Sequence, residues 1–455
     1  MESYINWSPT SAFNMKFQTY KKYKDSGIEW LGKAPNDWEI KRLKDSLKMH
    51  SGIRIGPFGS SLKSNFITDS GYKVYGQENV INASFSYGRK YVDEEKFKEL
   101  NRYEILTGDV VITMMGTTGK SMVVPKSIER GIMDSHLIRL RIDKFNPRLL
   151  SLLINDSHFV YTQLKLMSKG SIMDGLNSRI INSLLVLTPS AKEQEEILQY
   201  LDNKITLIDK KIEFLENKKD KYLELKQSLI NDAVTKGLDK NVEMKESGIE
   251  WVGKIPKHWK VKRLKNIFNE RIEKNLLPNG EPVTNNILSV MKDVGVINHK
   301  DKGLVGNKMS EDITKYKLVH INDIVVNKMN VMIGSVGISR EFGALSVIYI
   351  ILKTKNTGLA GYYDYLFKIK RFQKSLRGIS TGILEIREAV NTILFMGQNF
   401  PTPPKDEQAL VVNFLNEKTE KINTIVKIID KQVNVLQEFR KTLINDVVTG
   451  KVKVT

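Results

Sequence analysis

Nineteen residues, SGIEWLGKAPNDWEIKRLK from Ser26 to Lys44, recur 221 positions later as SGIEWVGKIPKHWKVKRLK from Ser247 to Lys265, with 13 of the 19 identical. A chain duplicated in this way folds as similar modules in series, because each copy carries the same packing instructions. A second pair of segments closes each half: EQEEILQYLDNKITLIDKKIEFLENKKDKYLELKQSLINDAVT, Glu193–Thr235, and EQALVVNFLNEKTEKINTIVKIIDKQVNVLQEFRKTLINDVVT, Glu407–Thr449. Their displacement of 214 holds over 43 residues without a gap. Loops drift in length, so an ungapped match of this extent marks rods.

The apolar spacing gives the rods their form. Leu201, Ile205, Ile208, Ile212, Leu215, Lys219, Tyr222, Lys226 and Leu229 alternate in steps of four and three, as do Leu415, Thr419, Ile422, Val426, Ile429, Val433, Leu436, Arg440 and Leu443. That alternation keeps a narrow seam on one side of a helix, with Lys, Glu, Asp, Asn and Gln around the rest. Neither stripe can be buried by its own helix, and two equal copies favour pairing of the helices as a coiled coil over packing of each on its own domain. Pro189 and Pro401, Pro403 and Pro404 precede the rods, and acidic residues open both, as helix starts favour. At about 1.5 Å per residue each reaches roughly 60 to 65 Å, nearly two turns of B-form DNA at about 34 Å each.

Between the repeats lie Asp45–Thr188 and Asn266–Thr402, similar in texture but not in detail. Short β-rich runs, Asp109–Thr113 and Asp323–Asn327, alternate with glycines and with helical stretches at Pro147–Met167 and Gly361–Leu376. The expected class is α+β: two similar domains joined by two long antiparallel helices, with an internal pseudo-twofold repeat. Lysine and arginine number 71 against 52 acidic residues, and a net charge of +19 favours a polyanionic partner, nucleic acid first. There is no cysteine, which excludes disulfides, thiolate nucleophiles and cysteine-ligated metals. The longest apolar run, Ala344–Leu352, is too short for a membrane span, so a cytoplasmic protein is expected.

Catalytic signatures fail on inspection. Gly116-Thr-Thr-Gly119-Lys120-Ser121 ends like a phosphate-binding loop, but the pattern requires glycine where Met114 stands, and the second half carries Ile338 and Ser339 in place of lysine and serine. A glycine turn between strands is the better reading, with Lys120 still able to meet a DNA phosphate. Methylation motifs and dinucleotide fingerprints are missing, the six histidines form no metal pattern, and Asp93-Glu-Glu-Lys96 reads as a solvated helix start. Trp30, Trp38, Trp251 and Trp259 read first as packing anchors. The basic tetrads Lys41–Lys44 and Lys262–Lys265 suit a phosphate contact or a plain solvated strand, and sequence does not separate the two.

The arrangement SGIEW-x-GK-x-P-xx-W, variable body, P-x-x-x-E-Q, and a long helix ending LINDxVT, all repeated once, resembles the DNA-specificity subunit of type I restriction-modification systems over nearly the whole chain after residue 22. Gly56-Pro-Phe-Gly-Ser-Ser-Leu-Lys63 followed by Gly76-Gln-Glu-Asn-Val80 is similar to one class of its target-recognition domains, and Lys328-Met-Asn330 with Gly334 and Gly337 to another. The resemblance implies a non-catalytic chain: a tail (1–22), a first target-recognition domain (23–188), a central helix (189–236), a linker with the second domain (237–402) and a terminal helix (403–455). Each domain would read one half of a bipartite, asymmetric site on double-stranded DNA, and the helix pair would set the gap. Two methyltransferase subunits and restriction/translocase subunits would be the partners, carrying S-adenosylmethionine, ATP and Mg, with no cofactor or metal in this chain. Lys63, Lys120, Lys169 and Arg179 in the first body, and Lys328, Asn330, Arg340 and Arg377 in the second, are the candidate DNA contacts. Two other readings stay open: a specificity chain serving a single fused restriction-and-methylation partner, and a coiled-coil adaptor that binds proteins.

Overall fold

The structure, a computed structural model, describes residues 18–29, 31–168, 176–303, 309–355, 358–381 and 389–454. It has mixed helix and strand content in two compact units. One takes the chain up to Leu215 and regains it at Asp430–Thr455; the other is Glu216–Ile429. The divisions fall inside the two long helices, Ala191–Lys236 and Lys405–Val448, so each unit holds one variable body and part of both helices.

In the first unit the body begins and ends on one antiparallel strand pair, Glu39–Arg42 with Leu185–Thr188, registered Glu39 to Thr188 and Arg42 to Leu185. This stitch lets the chain between vary while its two ends stay fixed. Inside is a four-stranded antiparallel sheet in the order Ile53–Ile55, Leu137–Leu140, Val110–Thr113, Ser121–Val123. Val110–Thr113 and Leu137–Leu140 are buried throughout, which is why the run Val-Val-Ile-Thr does not alternate with polar residues. A smaller sheet, Tyr91–Val92, Tyr72–Tyr75, Gly131–Met133, packs its apolar residues with Phe85, Phe97 and Leu100 into a second core.

The helical stretch expected at Pro147–Met167 is two helices, Pro147–Asp156 and His158–Ser168. Ser157 adopts an extended backbone between them, and the His158 N–H donates to Asn445 Oδ1 at 3.0 Å, so the break trades continuity for a bond to the second long helix. Asn146 caps the first helix by accepting from Arg148 N at 2.9 Å, with Pro147 in the first turn where its missing N–H does no harm.

The second unit has the same frame. Lys260–Arg263 pairs with Asn399–Thr402, and the inner sheet runs Phe268–Glu270, Tyr349–Thr354, Ile324–Asn327, Val336–Ile338, again antiparallel. The stretch expected as one helix at Gly361–Leu376 breaks into Ala360–Phe367 and Lys370–Ser375, because the buried Ile369 turns extended and caps the second piece from inside the core. That core joins Phe367, Phe372, Phe395 and Phe400 to Ile230, Val234, Val411 and Leu415 of the long helices.

On the seam positions, Leu201, Ile208, Leu215, Leu415, Ile422, Ile429 and Val433 are buried, and Ile205, Ile212 and Val426 are half-buried. In the first unit Arg440 Nε donates to Asp209 Oδ1 at 3.2 Å; in the second, Lys226 Nζ donates to Asn423 Oδ1 at 2.8 Å.

Candidate nucleic-acid interface

The residues common to both copies hold the frame. Trp38 is buried and its indole N–H donates to Glu193 Oε2 at 3.0 Å; Trp259 is buried and donates to Glu407 Oε1 at 3.0 Å. Tyr20 adds a 2.6 Å bond to Glu193, and burial together with that carboxylate raises its phenol well above the ordinary range. The glutamine that follows each glutamate is buried and bridges two backbones. Gln194 accepts from Asn146 N at 2.8 Å and donates to the Pro189 carbonyl at 3.0 Å; Gln408 accepts from Leu359 N at 2.9 Å and donates to the Pro403 carbonyl at 2.9 Å. The Glu-Gln pair at each helix start is therefore a clamp on the neighbouring body, a role beyond favourable charge at a helix end. Trp251 packs against both Phe372 and Phe400, at ring separations of 5.2 and 5.5 Å. Trp30 lies outside the described residues.

Within each unit the variable loops gather at one end of the four-stranded sheet. In the first, the segment after Ile55, the 114–120 loop and the turn at Asp134–His136 all leave the end marked by Ile55, Thr113 and Leu137. Gly56 has to be glycine: a Cβ there would stand 1.7 Å from the Asp134 carbonyl oxygen. A Cβ on Gly76 would meet the Glu78 and Asp134 carboxylates at 2.3 and 2.8 Å, so both glycine motifs close on Asp134. Pro57 is buried and the next residue, Phe58, is 81% exposed. The 114–120 loop is shut by Thr113, whose carbonyl accepts from Gly119 N at 3.0 Å and whose hydroxyl oxygen accepts from Lys120 N at 3.0 Å. It is the glycine turn that the failed nucleotide motif pointed to.

Lys63 and Lys120 are exposed on the loops at this end. Arg179 is exposed on the helix Ser178–Ser183, close by through the Leu176 N–H, which donates to the Met114 carbonyl at 3.0 Å. Lys169 lies outside the described residues. In the second unit Lys328 and Asn330 occupy the loop after Ile324–Asn327, Lys328 half-buried and Asn330 exposed, and the Lys328 carbonyl accepts from Val390 N at 3.0 Å. Arg377 is exposed on the turn Leu376–Ile379, which leads into the strand paired with Ala389–Val390. Arg340 is not brought to them: it follows the return strand Val336–Ile338 and sits at the opposite end of the sheet. Sequence reading passed over Phe58, Met115, Met329 and Ile333, all exposed at the loop end; only the glycines around them signalled it.

At the end of each sheet opposite the loops, one carboxylate is buried under arginine. Asp109 accepts from Arg141 Nε at 3.1 Å, with Arg139 Nε 3.9 Å away; burial raises its carboxyl in spite of both cations. Burial, and then the charge of Arg141, lowers the Arg139 guanidinium to about 10. Asp323 accepts from Arg271 Nε at 2.7 Å and Nη2 at 3.3 Å. Each aspartate also accepts a backbone N–H three residues back, from Leu106 and from His320, both at 2.8 Å. These groups tie the sheet to its flanking turns. Among the described residues no three His, Asp or Glu side chains group as metal ligands.

Residues 35–222 match the family model described as the type I restriction modification DNA specificity domain. The putative type I restriction enzyme MjaX specificity subunit of Methanocaldococcus jannaschii is 24% identical over 456 residues, spanning 96% of this chain and 98% of that protein. The type I restriction enzyme MjaVIII specificity subunit of the same organism is 24% identical over 463 residues, spanning 96% and 98%. Among solved structures, a chain from work on complex assembly and conformational transition of the type I R-M system has a TM-score of 0.66 at 13% identity, covering 92% of this chain and 99% of that one. The HsdS subunit from Thermoanaerobacter tengcongensis has a TM-score of 0.51 at 14% identity, covering 92% and 98%. The two structures show the fold; the family model and the end-to-end relatives carry the assignment that the repeated motifs suggested. From end to end the chain is similar to the specificity subunits of type I restriction-modification systems, and its residues 35–222 match their DNA specificity domain.

Proposed function

We propose that the two bodies are target-recognition domains, each reading one half of a bipartite, asymmetric DNA site, that the long helices pair as an antiparallel coiled coil whose length sets the gap, and that the pair docks two methyltransferase subunits. The observation that carries this is the matched clamp in the two units. Trp38 on Glu193 corresponds to Trp259 on Glu407, and Gln194 to Gln408, atom for atom, which supports a pseudo-twofold repeat. The polar contacts between the helices fit one antiparallel register: from Asp209 to Lys226 is seventeen residues forward, and from Arg440 to Asn423 seventeen back.

The loop ends of the two sheets share a topology and differ in side chains, as two readers of unlike half-sites require. Lys63, Lys120, Arg179, Lys328, Asn330 and Arg377 are the proposed contacts there, lysines positioning on phosphates and Asn330 and the arginines able to read base edges. On this reading the chain is non-catalytic and works in the cytoplasm, and S-adenosylmethionine, ATP and Mg belong to the methyltransferase and restriction/translocase partners. No helix among the described residues is long and apolar enough to cross a membrane.

Footprinting of the assembled complex tests the reading. Two protected patches with an insensitive gap are expected, and one continuous patch would refute it. Adding one matched heptad to both helices lengthens them by roughly 10 Å and should change the preferred gap; an unchanged recognition site would remove the spacer role.

A further inference from the structure

The basic tetrads of the duplicated signature read alike in sequence, yet the two units use them differently. In the second unit His258, Lys260, Lys262 and Lys405 line a cleft of about 320 Å³ with Thr402, Pro403 and Pro404. Lys260 and Lys262 stand two apart on the strand Lys260–Arg263, opposite Thr402 and Phe400, so both side chains leave the same face. None of the three lysines is ion-paired among the described residues. The carboxylate nearest to hand, Glu407, is already engaged by His258 Nε2 at 2.8 Å and by the Trp259 indole at 3.0 Å. In the first unit the matching positions are Asp37, Glu39, Lys41 and Ala191, and there Lys41 is ion-paired with Glu39. At matching positions the frame thus holds three lysines in one copy, and one lysine with two carboxylates in the other, where the cleft at the helix start takes Lys21, Lys22, Lys192 and Lys453 from elsewhere beside Asp37, Glu193 and Glu196. Like charges gathered in one cleft add their fields, so the second copy presents a local positive potential that attracts an anion.

We propose that this cleft binds a backbone phosphate of DNA, outside the bases read by the loops, and that the carboxylate-lined cleft of the first unit does not. The inference rests on the DNA-recognition reading above. Lysines act as point charges and suit a phosphodiester, which asks for charge and not for a planar fork. Only one end of the bound DNA would be held this way, so the frame itself, and not only the reading loops, would distinguish the two ends of the site.

The test is the salt dependence of binding of the full chain to mixed-sequence duplex DNA of about four helical turns. Each neutralised phosphate contributes about 0.9 to the slope of log K against log salt. Lys260→Ala/Lys262→Ala should lower that slope by about one, so that the variant loses about 3- to 4-fold less affinity than the parent between about 50 and 200 mM salt. Lys260→Arg/Lys262→Arg should keep the parent slope, and Glu39→Ala/Lys41→Ala in the first unit should leave it unchanged. A parent slope in the double alanine variant, with DNA still bound, would overturn the proposal alone. Lost assembly with the methyltransferase subunit at an unchanged slope would overturn it in favour of an acidic protein surface. A parent chain that binds no DNA would overturn this proposal together with the reading beneath it.

Discussion

Replacing Glu407 with alanine tests whether the tryptophan clamp fastens the second long helix to its body. Trp259 is fully buried and its indole N–H has one acceptor, Glu407 Oε1 at 3.0 Å. Truncation leaves that donor buried without a partner, which costs about 1 to 3 kcal/mol. The His258 contact to the same carboxylate adds little, because His258 is about half exposed and such a pair is worth about 0 to 1 kcal/mol. A loss near 2 kcal/mol is expected, or about 4 to 8 °C in the melting temperature of a unit of this size. Trp259→Phe removes the donor itself and adds a cavity cost that is indifferent to Glu407. The two substitutions should therefore not add: the double variant should be more stable than their sum by about 1 to 3 kcal/mol. Urea denaturation followed by tryptophan fluorescence and by circular dichroism measures all four proteins. Additivity within about 0.5 kcal/mol, or a Glu407→Ala variant as stable as the parent, would refute the clamp.

The seam offers an internal comparison: Leu201→Ala, at a buried position, should lose about 2 to 5 kcal/mol, whereas Leu207→Ala, on the same helix but 62% exposed, should stay within about 0.5 kcal/mol. Gly56→Ala sets a methyl group against the Asp134 carbonyl oxygen, so the segment it opens should be displaced; hydrogen exchange at 57–63 should rise sharply while the two long helices keep their protection. Around Asp134 the acid response has a defined sign. Burial works to raise the Glu78 carboxyl, but its own backbone amide and Lys90 outweigh burial and leave it below the ordinary value. Its contribution to stability is complete above the unfolded value near 4.3 and is lost as pH falls through the lowered folded value. Asp134, raised by burial, acts in the opposite sense. Glu78→Gln should therefore flatten the fall in urea midpoint below about pH 4.3, and an unchanged acid limb would contradict the assignment.

The frame was legible in the sequence because its signals are local and came twice. The tryptophans fell where packing anchors were expected, with Trp38, Trp251 and Trp259 all buried, and Asp93 caps the helix it was taken to begin. The inner sheet was less accessible. Ile53–Ile55 is three residues long and pairs with Leu137–Leu140 more than eighty residues away, which no periodicity encodes. Arg139 misleads outright, since its charge argues for an exposed strand while two carbonyl oxygens, of Arg102 and Glu104, hold it in the interior. The breaks at Ser157 and Ile369 escaped notice because each is made by a partner remote in sequence or by the core. The difference between the two basic tetrads was invisible in the motif, because Lys405 joins Lys260 and Lys262 only once Asn399–Thr402 pairs with their strand.

Thr113 has a consequence for how such a protein can change. It fastens the 114–120 loop from below, and Met115, Thr117 and Thr118 above it are exposed. Substitutions at such positions usually alter stability by less than about 0.5 kcal/mol. Side chains there can therefore be exchanged nearly without thermodynamic penalty, while the buried strands below tolerate far less. Tolerant and intolerant positions are thus separated by the length of one hydrogen-bonded turn.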